Sequence, residues 1–135
     1  MTHQLIFERL VNYDPAQPGI SLHVALKLNG LTVSCEAKID TGSTFCIFSR
    51  KLGEDLGLSI ESGFRRTVGT VTGTFIVYLH DINLSVDDLE LSVLAGFAED
   101  EMFQRHVLGR RGFLEQLVLG LVDYEGKLYL RAYDE

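Results

Sequence analysis

The chain has 135 residues, 46% hydrophobic and 23% charged, which predicts one globular domain over 1–135 and excludes wholesale disorder. Twelve Lys and Arg against nineteen Asp and Glu give a formal net charge of −7, which argues against nucleic acid or an anionic membrane as the main partner. No apolar run approaches the roughly 20 residues of a membrane span, and the N-terminal sequence lacks a signal-peptide pattern. The two cysteines are too few for a disulfide scaffold. We therefore expect a cytoplasmic protein with free thiols.

The first elements in chain order are a polar segment and a hairpin. Residues 1–19 read as an N-terminal segment that ends in a proline-containing loop. Apolar residues then alternate from Ser21 to Leu28 and again from Leu31 to Ile39. Asn29-Gly30 between these runs is a sequence favoured in type I′ turns, because both positions tolerate positive φ. The pattern predicts a β-hairpin whose second strand ends at Asp40.

The central part of the chain predicts a short helix and a second hairpin. The helix covers Ser49 to Leu56, with its first serine as N-cap and Gly57 at the C′ position. The hairpin covers Phe64 to Leu79, and Gly69 and Gly73 flank its tip.

The remaining residues predict further strands. Alternating apolar residues continue from Ile82 to Ala95, and an acidic loop, AEDEMFQ, follows. Gly112 to Gln116 is compatible with one short helix, and Leu117 to Val122 and Lys127 to Arg131 read as the last two strands. Many short strands with one or two short helices indicate an all-β barrel or sandwich.

One segment carries the residue types of a catalytic site: Asp40-Thr41-Gly42-Ser43. The D-T-G triplet alone is weak evidence, since it arises by chance on the order of once in fifty chains of this size and also suits an ordinary turn. Its context strengthens it. The triplet ends an alternating strand, the apolar run Phe45 to Phe48 follows it, and the glycine-tipped hairpin lies about thirty residues downstream. Val107-Leu108-Gly109-Arg110 then precedes the last short helix.

This combination resembles the retropepsin-like aspartic proteases, the single-domain, dimeric relatives of pepsin, and is most similar to their bacterial, cytosolic branch. The resemblance covers residues 20–131, taken as the core, and implies the closed barrel of the acid-protease fold. The sequence departs from the family pattern at two positions. Lys38 is polar where many members are apolar. Thr44 replaces an acid that in several viral members pairs with the arginine matching Arg110, so that ion pair must be absent or replaced.

The chemistry of peptide hydrolysis agrees with this resemblance. Without a metal or a covalent intermediate, one carboxylate activates water while one carboxylic acid protonates the carbonyl oxygen, and two adjacent aspartates do this by sharing a proton. The chain has a single D-T-G, so the dyad requires a homodimer with one Asp40 from each subunit. By resemblance, Thr41 forms hydrogen bonds across the dimer axis and Gly42 lets substrate backbone approach. Ser43 is expected to donate its hydroxyl proton to the Asp40 carboxylate.

The resemblance also implies a flap and an interface. The flap is the glycine-rich hairpin tip, expected to close over a peptide or protein substrate, and it consists of Gly69, Thr70, Val71, Thr72 and Gly73. We expect the chain termini and the Asp40 loops to contribute to the dimer interface. Leu128, Tyr129 and Leu130 lie in a late strand that is expected to pair between subunits.

Other functions fit the sequence less well than the aspartic endopeptidase. An Asp-x-Gly-Ser-Thr sequence also occurs at the phosphate site of actin-like ATPases, but those enzymes need two lobes that 135 residues cannot supply. The histidines and cysteines have no metal-site spacing, so we expect neither a metal nor another cofactor. One alternative stays open: a catalytically inactive dimeric β-barrel module that binds peptides or mediates assembly.

Overall fold

A computed structural model describes all residues from 1 to 135. Its regular elements are mostly short strands, with one α-helix and three single turns of 3-10 helix, at Ile60–Ser62, Leu114–Gln116 and Asp123–Glu125. The strands and the helix, in chain order, are β1 (Arg9–Asn12), β2 (Ser21–Leu28), β3 (Leu31–Ile39), β4 (Ile47–Phe48), α1 (Arg50–Asp55), β5 (Phe64–Thr70), β6 (Gly73–Val86), β7 (Leu89–Ala98), β8 (Val107–Leu108), β9 (Leu117–Val122) and β10 (Lys127–Ala132).

Seven strands form one mixed sheet in the order β2-β3-β8-β4-β7-β6-β5. Strand β2 also pairs with β6, with Ala25 opposite Ser85 and Lys27 opposite Asn83. This second pairing closes six of the strands into a barrel, and β5 continues outward from β6 as the other arm of a hairpin. The expected all-β, closed-barrel fold is therefore confirmed.

The local signals for the first hairpin and the helix are confirmed. Asn29 and Gly30 both have positive φ, 49° and 83°, as a type I′ turn requires. The hydroxyl of Ser49 accepts a hydrogen bond from the backbone N–H of Leu52, which caps α1. Gly57 follows the helix with φ 83°. The first hairpin and the helix therefore form where the local sequence predicts them. Asp40 directly follows β3 at one end of the barrel.

The three-stranded sheet corrects the expectation about the last strand. Its order is β1-β10-β9, so both edges of β10 are already paired within the chain. Leu128 and Leu130 are fully buried in the core of the same subunit. The prediction that this strand pairs between subunits is wrong, because β1, which the sequence did not reveal, occupies its second edge. The edges of this sheet are β1 and β9.

A single large apolar cluster joins the two sheets. It contains 22 buried residues, and Phe48, Phe97 and Phe113 are the largest of those that solvent does not reach. A second, smaller cluster lies at the end of the barrel where β3 terminates, and its buried members are Ile47, Val77 and Leu79. None of the helices could cross a membrane.

Candidate active site

Asp40 begins a tight turn that hydrogen bonds hold from both sides. Its backbone N–H donates to the carbonyl of Leu108 at 3.0 Å, and its carbonyl accepts from the N–H of Ser43 at 3.1 Å. Its carboxylate Oδ1 accepts from the N–H of Gly42 at 2.9 Å. The Asp40 residue is nonetheless exposed. The loop therefore fixes the backbone of Asp40, while its carboxylate remains accessible to a ligand.

A second segment crosses directly behind this turn. Strand β8 pairs in parallel with β3 and antiparallel with β4. After it, the N–H of Arg110 donates to the carbonyl of Ser43 at 2.9 Å, and the N–H of Arg111 donates to the carbonyl of Thr44 at 2.7 Å. Gly109 lies so close that a Cβ built on it is 2.7 Å from the oxygen of Ser43. The two segments hold each other in place through backbone contacts.

Two expectations about side chains near the turn have clear outcomes. The hydroxyl of Ser43 donates to the carbonyl of Phe45 at 2.7 Å, so the prediction that it donates to Asp40 is wrong. The carbonyl of Phe45 lies only two residues after Ser43, and a local side-chain to backbone hydrogen bond of this kind competes with a bond from the same hydroxyl to another side chain. Arg110 takes part in none of the ion pairs of the chain. Backbone bonds hold its segment to the loop instead.

The Asp40 loop and the β5–β6 hairpin line one cavity of about 330 Å³, called the cleft below. Its lining residues come from three parts of the chain: Asp40, Gly42, Ser43, Thr44, Phe45 and Ile47 from the turn and β4, Thr67, Val68, Gly69, Thr70 and Phe75 from the hairpin, and Phe103, Arg105 and Val107 from the segment that leads into β8. The structure thus brings five predicted site residues together. The other four, Thr41, Val71, Thr72 and Gly73, do not line the cleft.

The hairpin tip has the geometry of a compact turn that extends beyond the cleft. The hydroxyl of Thr70 donates to the carbonyl of Gly73 at 3.0 Å and accepts weakly from the N–H of Thr72 at 3.4 Å. Gly73 has φ 149°, which favours glycine. Val71 at the tip is fully exposed. An apolar side chain in that position has no contact within its own chain that keeps it from water.

The walls of the cleft are mixed, and six of its 14 lining residues are hydrophobic, three of them phenylalanines. Phe75 of β6 and Phe103 of the loop before β8 stack with their ring centroids 4.8 Å apart. Val68 and Val107 pack against the same small cluster. This stack joins the hairpin to the acidic loop, so the position of the hairpin depends on both segments.

Nine of the 14 residues that line the cleft were not predicted as site residues, and three of these nine, Phe103, Arg105 and Val107, come from the segment that leads into β8. The sequence predicts only a loop for the acidic segment that carries Phe103. A signal was present, however, because every second residue along an extended segment points to the same side. Phe103, Arg105 and Val107 are spaced by two residues, so this alternation predicts that all three lie on one side of the segment.

Neither cysteine lines the cleft, and neither does the half-buried His106. Burial raises the pKa of the Cys46 thiol to about 11, and it likewise raises that of Cys35 to about 11, so neither is a ready nucleophile. Burial also lowers the pKa of His106, whose Nε2 lies 3.3 Å from the hydroxyl of Ser49. The ring of His106 packs beside that of Phe48. These three groups therefore have no assigned role in the chemistry of the cleft.

No cluster of three or more His, Cys, Asp and Glu side chains is arranged to hold a metal ion.

A family model described as Aspartyl protease matches residues 24–121, which include the whole turn, the hairpin and the crossing segment. No curated protein matches the sequence.

Proposed function

Because the chain belongs to the aspartyl protease family, we propose that it is an aspartic endopeptidase whose catalytic dyad consists of two Asp40 carboxylates, one from each subunit of a homodimer. The observation that carries this proposal is the exposed carboxylate of Asp40, held in a hydrogen-bonded turn at the edge of the cleft. Each chain has one D-T-G and hence half of a dyad. A two-fold axis beside the turn supplies the other half.

The proposed reaction follows from two carboxyl groups that share one proton. The ionised Asp40 takes a proton from a water molecule, and the water oxygen attacks the carbonyl carbon of the scissile peptide bond. The protonated Asp40 of the second subunit donates its proton to the carbonyl oxygen. The C–N bond then breaks as the nitrogen takes the proton held by the first Asp40, while the second Asp40 takes a proton from a hydroxyl of the tetrahedral intermediate. The products are a carboxylic acid and an amine, and the dyad again holds one proton.

The other residues of the loop and the hairpin have supporting roles in this proposal. Thr41 is exposed and available to a second subunit. The backbone of Gly42 lies at the surface of the cleft, where no side chain blocks an extended peptide. The hairpin tip, with Val71 outermost, closes over the substrate and excludes water. We therefore assign the flap to residues 69–73.

The same proposal covers organisation and location. Each subunit is one domain over 1–135 and needs no cofactor, since the two carboxyl groups and water are sufficient for the reaction. Both cysteines are free thiols, which agrees with a reducing, cytoplasmic location.

The test compares the wild type with Asp40→Asn, which is nearly the same shape but can neither hold the shared proton nor act as the base. A fluorescently labelled unfolded protein serves as substrate, and sedimentation gives the oligomeric state. We expect a dimeric wild type that cleaves the substrate, and a dimeric Asp40→Asn protein with an unchanged urea midpoint and no cleavage. Full turnover by Asp40→Asn, or cleavage by a monomer, contradicts the proposal. A wild-type dimer that binds the unfolded protein without cleaving it is instead the inactive binding module.

A further inference from the structure

The cleft contains only two charged side chains, Asp40 and Arg105. A second cavity of about 570 Å³ lies beside it, and Asp40, Arg105 and Val107 line both. Arg105 therefore stands at the boundary between two open spaces, each of which also reaches the reacting carboxylate. A peptide that extends past Asp40 in either space meets the guanidinium group.

This guanidinium has no acidic partner within its own chain. None of the nine ion pairs includes Arg105, although the residue is exposed and follows an acidic loop. The two carboxylates that share a cavity with it have other partners: Asp40 accepts the N–H of Gly42 at 2.9 Å, and Glu36 faces His23 at 3.2 Å. Its five N–H donors are thus free to bind a carboxylate from outside.

We propose that Arg105 selects peptides that carry a Glu or Asp side chain close to the scissile bond, an inference that rests on the proposed peptidase function. A guanidinium group binds a carboxylate through two parallel hydrogen bonds, which gives direction as well as attraction. The chain as a whole carries a charge of −7 and repels acidic peptides, so a cation in the cleft marks where such a side chain is accepted. In a homodimer the two copies of Arg105 place this preference on both sides of the scissile bond.

The experiment uses fluorogenic octapeptides with Leu-Phe at the centre. One flanking position at a time carries either Glu or its uncharged counterpart Gln. For the wild type we expect kcat/KM to be roughly three- to tenfold higher for Glu than for Gln in at least one position, as for a partly exposed, charge-assisted pair. This preference disappears in Arg105→Gln and decreases with added salt. Arg66→Gln is the matched control: it removes the same charge, but Arg66 is exposed and lines neither cavity, so the preference remains.

A binding measurement separates this inference from the proposed function. Fluorescence anisotropy compares the same Glu and Gln peptides on Asp40→Asn and on Asp40→Asn with Arg105→Gln, so it needs no cleavage. A Glu preference that the second change abolishes supports the role of Arg105 even if the wild type cleaves nothing, in which case the proposed function alone fails. Equal values for the Glu and Gln peptides at every position overturn the inference. An equal loss of cleavage of both peptides in Arg105→Gln also overturns it, since Arg105 then acts on the dyad and not on the substrate.

Discussion

Gly109→Ala tests whether the crossing of two backbone segments holds the Asp40 turn. A Cβ at this buried position lies 2.6 Å from the carbonyl carbon of Phe45 and 2.7 Å from the carbonyl oxygen of Ser43. Real Cβ atoms essentially never approach backbone so closely. No rotamer change relieves the clash, because both contacts are main-chain atoms, so the segment after β8 must move away from the turn.

The expected cost combines two effects. Forcing an extra carbon into a packed site costs about 1–3 kcal/mol. The movement also lengthens the bonds from Arg110 to Ser43 and from Arg111 to Thr44, now 2.9 and 2.7 Å, and each such bond contributes about 1 kcal/mol. We therefore expect Gly109→Ala to lower the free energy of unfolding by about 3–5 kcal/mol, a large part of the 5–15 kcal/mol typical of a domain.

Urea unfolding followed by circular dichroism measures this change, with Gly69→Ala as the control. A Cβ added at Gly69 meets no atom within 4 Å, and the residue lies outside the positive-φ region, so its variant is expected to stay within about 0.5 kcal/mol of the wild type. Peptidase activity, measured where both variants remain folded, should be lost in Gly109→Ala because the Asp40 turn shifts with the segment behind it. A Gly109→Ala protein within about 1 kcal/mol of the wild type refutes the reasoning.

Three further predictions follow from contacts near the site. Ser43→Ala is expected to cost about 1 kcal/mol in urea unfolding, for loss of the bond to Phe45, and to leave the acid limb of the pH–activity profile unmoved; an acid limb that shifts contradicts this. Because burial lowers the pKa of His106, the unfolded chain takes up the proton first, so stability falls as pH decreases from 7.5 through about 6.5 toward 5.5. Urea midpoints at these pH values should show that fall, and His106→Gln should reduce it. Cys46, which is buried and has a pKa of about 11, should react with a disulfide reagent at pH 8 only after unfolding, whereas the partly buried Cys35, whose pKa is also about 11, should react slowly in the folded protein.

The sequence predicts best where structure depends on neighbouring residues. The alternation of β2 and β3, the Asn29-Gly30 turn and the cap at Ser49 each rest on local backbone preferences, and each is confirmed at its position. The Asp40 turn belongs with them, because it follows directly from the end of β3. Local propensity and tertiary structure agree at these positions, as they do in sequences that fold efficiently.

The features that were missed depend on distant parts of the chain. Strands β4 and β8 have two residues each, too few for any alternation to be visible, and they exist because they cross behind the turn. Strand β1 is defined by its pairing with β10 and not by its own pattern. The last short helix is a single 3-10 turn over Leu114–Gln116. Arg105 lines the cleft because the fold places its segment beside the hairpin, and its spacing of two residues from Val107 is the one local signal for this.

A mixing experiment tests the dyad between subunits without any knowledge of the natural substrate. A fixed amount of wild type is incubated with an equal amount of Asp40→Asn until the subunits have exchanged, and activity is then measured. If each site needs an Asp40 from both chains, random pairing places half of the wild-type subunits in inactive mixed dimers, so activity falls to about half. A tenfold excess of Asp40→Asn should lower it to about a tenth. Added Arg66→Gln protein, which keeps Asp40 and changes an exposed residue outside both cavities, is the control, and it should not lower the activity. Activity that does not change with the amount of Asp40→Asn means that one chain carries a complete site, which contradicts the shared dyad.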